Sequence, residues 1–576
     1  MPTLSTSNFN IVCAILGGFI TLFGLVSYLF KEKFYLSEAL ISLLFGVAMS
    51  PHAADFVRPL DYTGSLANLN ATTLDFSRLV LGVQLVLAGV QLPSRYLKLE
   101  WRSLALLLGP IMTVMWLSSS LLIWGMVPNL SFLHALAVGA CITPTDPVLS
   151  NSIVKGKFAD KNIPKELQKI IVAESGANDG LGYPYLFLAL YLIKYTGEGG
   201  AGQTGGASKA MGLWFGETWV YTIILSIVYG ATVGWIAKEL LHWAEEKKFV
   251  DRESFLVFAI TLALFIVGTC GMIGSDDVLA CFIAGNVFTW DDWFRLETLD
   301  DSLQPTIDML LNLSVFIWFG AICPWASFAT NSVIPIYRLI FLGVLILLFR
   351  RLPIVFAMHK FIPQIEEKRQ AIFVGFFGPI GVSAIFYLYI SLEFLETITV
   401  DGVQREDAEH LAEVISVVVW FLTICSIVVH GLSIPLGKLG FFLPRTLSRA
   451  FTSQSNSQTN LAIGARVYSS NSGVLRERRR GNASTDASGS GTTHGSAIST
   501  PALSSGTSSK PIYRIGGSVI RSEIARGVSG SGIGMDGEEV SPIGMLDGVV
   551  EGRTIRFPDE EVHVASGMGR ERDSEV

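Results

Sequence analysis

Four polar side chains stand close together in an otherwise apolar stretch: Glu174, Ser175, Asn178 and Asp179, in "AESGANDG". A carboxylate placed in hydrocarbon costs about 2.5–3.5 kcal/mol on insertion scales, so two acids here need a reason. Residues four apart share a helix face. Ser175 and Asp179 therefore line one face with a hydroxyl and a carboxylate, while Glu174 and Asn178 line the adjacent face. Oxygen groups of this kind suit a hard cation. A carboxylate can hold a proton or a cation but not readily both, and that competition is the simplest chemistry of an exchanger. The alternative is a buried polar network that only joins helices. Three acids (Asp146, Glu174 and Asp179) are more than such a network needs.

Asp146 belongs to a second group, Thr143-Pro144-Thr145-Asp146-Pro147. Two prolines three apart remove two backbone donors and disfavour helix just before each, so the helix is expected to break. Such a break in the membrane must lie inside protein or line a wet cavity. Asp146 can there accept hydrogen bonds from a half-helix N-terminus; the plainer alternative is a proline kink with a capping Asp. A second interruption is expected at Gly375, Gly378, Pro379 and Gly381, in "GFFGPIGVSAIF".

The elements that must position these groups follow from composition. The chain of 576 residues is 50% hydrophobic and only 16% charged, well under the charge of a soluble protein. Its apolar residues fall in blocks of about twenty, enough to span a bilayer. This predicts an all-α polytopic membrane protein with about thirteen spans: 9–30, 35–51, 74–93, 102–126, 132–154, 169–194, 217–240, 254–273, 277–290, 305–327, 333–358, 370–392 and 409–435. Residues 1–443 form the transmembrane domain. Residues 444–576, rich in Ser, Thr and Gly, read as a mostly disordered tail. Spans 5 and 12 hold matching places in two six-span halves, 1–6 and 8–13, which a single span separates. The second half therefore begins on the opposite side of the membrane, giving the inverted repeats of secondary transporters, in which paired broken helices mark the substrate site.

Orientation follows from Lys and Arg in alternate loops: Lys31 and Lys33; Arg95, Lys98 and Arg102; Lys155, Lys157, Lys161, Lys165 and Lys169; Lys247, Lys248 and Arg252; Lys360, Lys368 and Arg369. The N-terminus is placed outside and the tail in the cytoplasm, with no cleavable leader. Sequons at Asn70 and Asn129 fall in expected outer loops. The six cysteines lie inside apolar blocks and read as small apolar residues. A net charge of −7 gives no ground for a nucleic-acid partner.

Other groups keep two readings. Asp276-Asp277 is either a cation-entry feature or a cap at the membrane edge. Arg350-Arg351 pairs with a buried acid or snorkels to the interface. His430 senses pH or is simply packed, and Asn312 reads as a helix-packing amide. In the tail, Arg476–Arg480 reads as a solvated run or as a contact to lipid headgroups. "YRIGGSVIRSEIARG" and "TIRFPDEEV" read as docking segments for cytosolic regulators.

"ITPTDPVLSNSIV" followed by "AESGANDGLGYPYLFL" resembles the paired signature of the cation:proton antiporter family that includes NhaP and the animal Na+/H+ exchangers. Together with "GSDDVLACFIAGN" and "GFFGPIGVSAIFY", it resembles the fungal plasma-membrane branch, over residues 10–440. The resemblance implies a homodimer of thirteen-helix protomers, with a six-helix core (spans 4–6 and 11–13) that moves as an elevator. It also implies Asp179 as the shared cation and proton site, with Asn178 its partner, Ser175 a ligand hydroxyl, and Thr145 and Asp146 in the unwound segment beside it. Na+ would sit at Asp179, Ser175 and Thr145. Glu174 matches a buried structural acid, and Asp276 and Asp277 match an acidic pair of fungal members. Two positions depart from the pattern. The arginine that NhaP-type relatives carry in span 12 is absent here, which leaves the partner of Glu174 open between Arg350 and Arg351. Span 3 offers Gln84 and Gln91 where those relatives have a glutamate.

The expectation is a secondary active transporter, not an enzyme, exporting Na+, Li+ or K+ against inward protons at the plasma membrane, with no cofactor and with membrane lipid around it. It would serve cation homeostasis, pH regulation and salt tolerance. Its rivals are a cation channel, an intramembrane two-acid hydrolase and a sensor that signals through its tail.

Overall fold

The computed structural model describes residues 7–154, 162–197 and 205–461. Lys155, Lys157, Lys161 and the tail segments singled out above lie outside the described residues. The described residues up to Leu436 belong to one compact unit.

The unit is helical. In chain order the main helices are α1 (Asn8–Tyr28), α2 (Glu38–Met49), α3 (Leu66–Gln91), α4 (Trp101–Met126), α5 (Phe132–Cys141), α6 (Pro147–Val154), α7 (Lys165–Gly180) and α8 (Tyr183–Thr196). After these come α9 (Gly206–Glu246), α10 (Arg252–Ile273), α11 (Asp277–Phe288) and α12 (Leu303–Ile322). The last are α13 (Ile336–Phe349), α14 (Leu352–Met358), α15 (Lys368–Phe376), α16 (Val382–Glu396) and α17 (Glu406–Leu461). A two-residue antiparallel pair, β1 (Thr399–Val400) and β2 (Val403–Gln404), turns the chain between α16 and α17. Among the described residues, 8 helices are long and apolar enough to cross a membrane, and α2, α5 and α11 are shorter apolar helices.

Several boundaries differ from expectation. The span expected over 217–240 is the middle of a helix of 41 residues, Gly206–Glu246. Asn70, expected in an outer loop, lies inside α3, because Ser65 caps that helix from the Asn68 amide at 3.2 Å. Asn129 does sit exposed in a turn. The span expected to run unbroken from 169 to 194 is two helices, α7 and α8, and the chain turns at Leu181 and Gly182. α17 runs past the expected boundary at 443.

Close backbone approach holds the packing. α9 lies on α11 with Gly234 so near that a Cβ there would stand 2.5 Å from the Ala284 carbonyl oxygen. The core is apolar, with Val80, Leu81, Phe282, Phe316 and Ile385 fully buried. A cluster of buried polar and charged residues lies within it.

Candidate cation and proton site

The helix that begins at Phe132 stops at Cys141 and resumes at Pro147; the one that begins at Lys368 stops at Phe376 and resumes at Val382. The two unwound stretches meet. The Asp146 amide donates to the Pro379 carbonyl at 3.0 Å. The Asp146 carboxylate accepts from the Leu149 amide and from the Val382 amide, both at 2.9 Å. One side chain thus caps the starts of both α6 and α16. Gly381 leaves the space this needs, since a Cβ there would come within 2.5 Å of the carboxylate.

The opposite ends are held by Arg350. Its guanidinium donates to the carbonyls of Ile142 and Gly378, and lies 3.3 Å from the Thr143 carbonyl. These carbonyls lie just past the ends of α5 and α15, in the unwound stretches. His430 adds a contact from α17, its Nε2 lying 3.0 Å from the Phe376 carbonyl, so it is a packed histidine. Ser426 accepts from the Ile380 amide at 2.7 Å.

α7 brings its polar residues to this crossing. Asn178 clasps Thr145: its Oδ1 accepts from the Thr145 amide at 3.2 Å and its Nδ2 donates to Thr145 Oγ1 at 2.8 Å. Ser175 Oγ lies 3.1 Å from Thr145 Oγ1 and 3.2 Å from Ser150 Oγ. Helical phase had put Asn178 on the face of Glu174, yet both Asn178 and Ser175 address Thr145. Residues three apart on a helix also share a face, which is how Ser175 and Asn178 reach Thr145 together.

Asp179 is 1% exposed. Among the described residues, neither of its carboxylate oxygens has a hydrogen-bond partner, nor does the buried Ser383 hydroxyl close to them. A buried carboxylate without donors is costly unless something else satisfies it.

Glu174 turns away from this group and meets Arg351 in a two-pronged pair at 2.5 and 2.8 Å, both residues buried. Arg351 also donates to the Val374 carbonyl at 3.0 Å. Burial of Arg350 and Arg351 rules out the interfacial placement. Both arginines stand where the helix breaks between α13 and α14.

Asp276 and Asp277 are buried rather than at a wet edge. Asp277 pairs with Arg78 of α3 at 2.6 Å. Asp276 caps α11 through the Leu279 amide at 3.0 Å, and its other oxygen points at Gly180. Arg78 went unnoticed in the sequence, although an arginine inside an apolar helix is a signal. Gln84 and Asn312 hydrogen-bond to each other. No group of three His, Cys, Asp or Glu side chains fit to hold a metal occurs among the described residues.

Fold and site define a multi-pass membrane protein built around two interrupted helices whose open ends are neutralised by buried charges. The chain belongs to the sodium/hydrogen exchanger family: the family model described as "Sodium/hydrogen exchanger, transmembrane" matches residues 18–436. It is 36% identical over 468 residues to a Na+/H+ antiporter of Saccharomyces cerevisiae, covering 79% of this chain and 46% of that protein. A probable Na+/H+ antiporter of Schizosaccharomyces pombe is 39% identical over 452 residues, covering 77% of this chain and 58% of that one. The chain thus spans about half the length of these curated relatives. A second S. pombe Na+/H+ antiporter is 31% identical over 459 residues, which cover 78% of this chain and 95% of the relative. Among solved structures, the sodium proton antiporter MjNhaP1 of Methanocaldococcus jannaschii shares the fold, with TM-score 0.54 at 16% identity over 75% of this chain and 98% of that one.

Proposed function

We propose that this protein is a secondary active antiporter that exchanges cytoplasmic Na+, with Li+ and K+ as further candidate substrates, for external protons at Asp179. The observation that carries the reading is the Asp179 carboxylate: buried, without a hydrogen-bond donor among the described residues, and on the helix that brings Ser175 and Asn178 to Thr145 at the crossing. A group so placed is satisfied by a proton or by a cation, and each must leave before the other binds. Thr145 and Ser175 supply hydroxyl oxygens of the kind a small hard cation prefers. The names of the relatives, Na+/H+ antiporters, support Na+ and H+ as the exchanged ions.

In this mechanism Asp179 releases its proton to the cytoplasm and takes Na+ with Ser175 and Thr145. The core then moves as an elevator, Na+ leaves outside, and an external proton returns to Asp179. Asp146 and Arg350 keep the unwound backbone satisfied throughout. The same proposal includes thirteen spans in inverted repeats, a homodimer in the plasma membrane, an outer N-terminus, and a cytoplasmic tail that binds regulators. Its role would be salt tolerance and pH homeostasis.

The test is the full chain in liposomes carrying a pH gradient, with Na+, Li+ and K+ added in turn. Cation-driven dissipation by the wild type and none by Asp179→Asn supports the proposal. Equal rates from the two would reject it.

A further inference from the structure

The helix that carries Asp179 ends one residue beyond it. α7 stops at Gly180 and α8 starts at Tyr183. The cause is local: Pro184 has no amide to offer the Gly180 carbonyl four residues earlier, and its ring crowds that carbonyl. The Gly180 carbonyl is therefore left without a helical partner, and the break between α7 and α8 leaves the Asp179 carbonyl without one too, both at a buried position. One side chain takes both. The Tyr387 hydroxyl of α16 donates to the Asp179 carbonyl and lies 3.3 Å from the Gly180 carbonyl. Tyr387 is fully buried, and Tyr183 packs edge-on to it at 5.4 Å. Its ring fills the space beside Gly182, where a Cβ would stand 2.6 Å from ring carbons.

Ser383 lies one turn before Tyr387 on the same face of α16. The helix thus presents two hydroxyls to Asp179, one toward its side chain and one to its main chain. The start of α16 is itself fixed by Asp146 through the Val382 amide. A continuous set of contacts runs from the crossing, along one turn of α16, to the backbone that aims the Asp179 carboxylate.

We infer that Tyr387 is a positioning residue for Asp179: by tying off the carbonyls at the break after Gly180, it holds the carboxylate at the cation site. This builds on the exchange proposed at Asp179. Tyr387 touches neither cation nor proton; its effect passes through the main chain of Asp179.

The experiment uses the full chain in liposomes, with proton movement followed over a range of Na+ concentrations. Tyr387→Phe removes one hydroxyl and keeps the ring. It is expected to raise the apparent KM for Na+ about tenfold, the worth of one ordinary hydrogen bond. The maximal rate per molecule is expected to stay within about twofold, since the reacting groups themselves are unchanged. Gly182→Ala keeps the hydroxyl but displaces the ring, and is expected to raise KM similarly. The double variant is expected to be no worse than either single, because both break one contact. A merely structural tyrosine would lower yield and melting temperature and leave KM where it was, and that result overturns the inference. Should Tyr387→Phe fail to accumulate, Gly182→Ala decides by the same KM criterion. A wild-type chain without Na+-driven proton movement would overturn the exchange reading and this role together. An active wild type with unchanged KM in the variants overturns this role alone.

Discussion

Asp146 and Arg350 divide a single crossing between them: the carboxylate holds the two helix starts, at Leu149 and Val382, and the guanidinium holds the two helix ends, at Ile142 and Gly378. Backbone partial charge is positive at helix starts and negative at helix ends. Each charge therefore faces the opposite sign.

Removing either charge should unlock the crossing. Asp146→Ala uncaps two buried helix starts and is expected to lower stability by about 2–4 kcal/mol. Arg350→Lys should also lower the melting temperature, because one ammonium cannot span the carbonyls of Ile142 and Gly378 as a planar fork does. Thermal unfolding of purified protein, followed by tryptophan fluorescence, checks both.

Asp179 should behave in the opposite way. Since its carboxylate has no protein donor among the described residues, Asp179→Asn is expected to keep or raise the melting temperature while abolishing exchange. A variant that loses stability as Asp146→Ala does would show that Asp179 is instead a structural acid.

Competition at one carboxylate sets the pH dependence. Below the pH at which Asp179 takes its proton, the apparent KM for Na+ should rise with falling pH, approaching tenfold per pH unit, the limit for one proton displaced by one cation. Initial rates at several pH values and Na+ concentrations give the slope. A flat KM would mean that proton and cation bind at separate places.

The Glu174–Arg351 pair is predicted to matter for folding and not for affinity. Glu174→Gln leaves a buried guanidinium unpaired and should cost about 3–5 kcal/mol. Combining it with Arg351→Met should recover most of that loss, with the KM for Na+ unchanged in the double variant. Melting temperatures of the two singles and the double close the cycle.

The all-helical membrane character was legible because apolar blocks of bilayer length are a strong pattern. The stretches around Pro144 and Pro147 and around Gly378 and Pro379 were legible as poor helix, because proline and glycine act locally. What lies far apart in the chain was not legible. The distances from Arg350 to Ile142 and from Arg78 to Asp277 depend on packing, which periodicity does not encode. Arg351 could be named only as one of two choices for Glu174, since either arginine could turn inward. The end of α7 was missed although Pro184 signals it, because the apolar run continues without pause through residue 190. The four-residue spacing grouped Asn178 with Glu174, while its three-residue spacing from Ser175 is the one that the site uses.

Arg351 passes directly over Gly378, where an added Cβ would stand 2.8 Å from its Nε. That space admits one guanidinium stem and no second side chain. Position 351 therefore supplies the charge at this spot and excludes a side chain at position 378. A residue larger than glycine at 378 should be tolerated only if Arg351 is shortened at the same time, so a change at either address constrains the other.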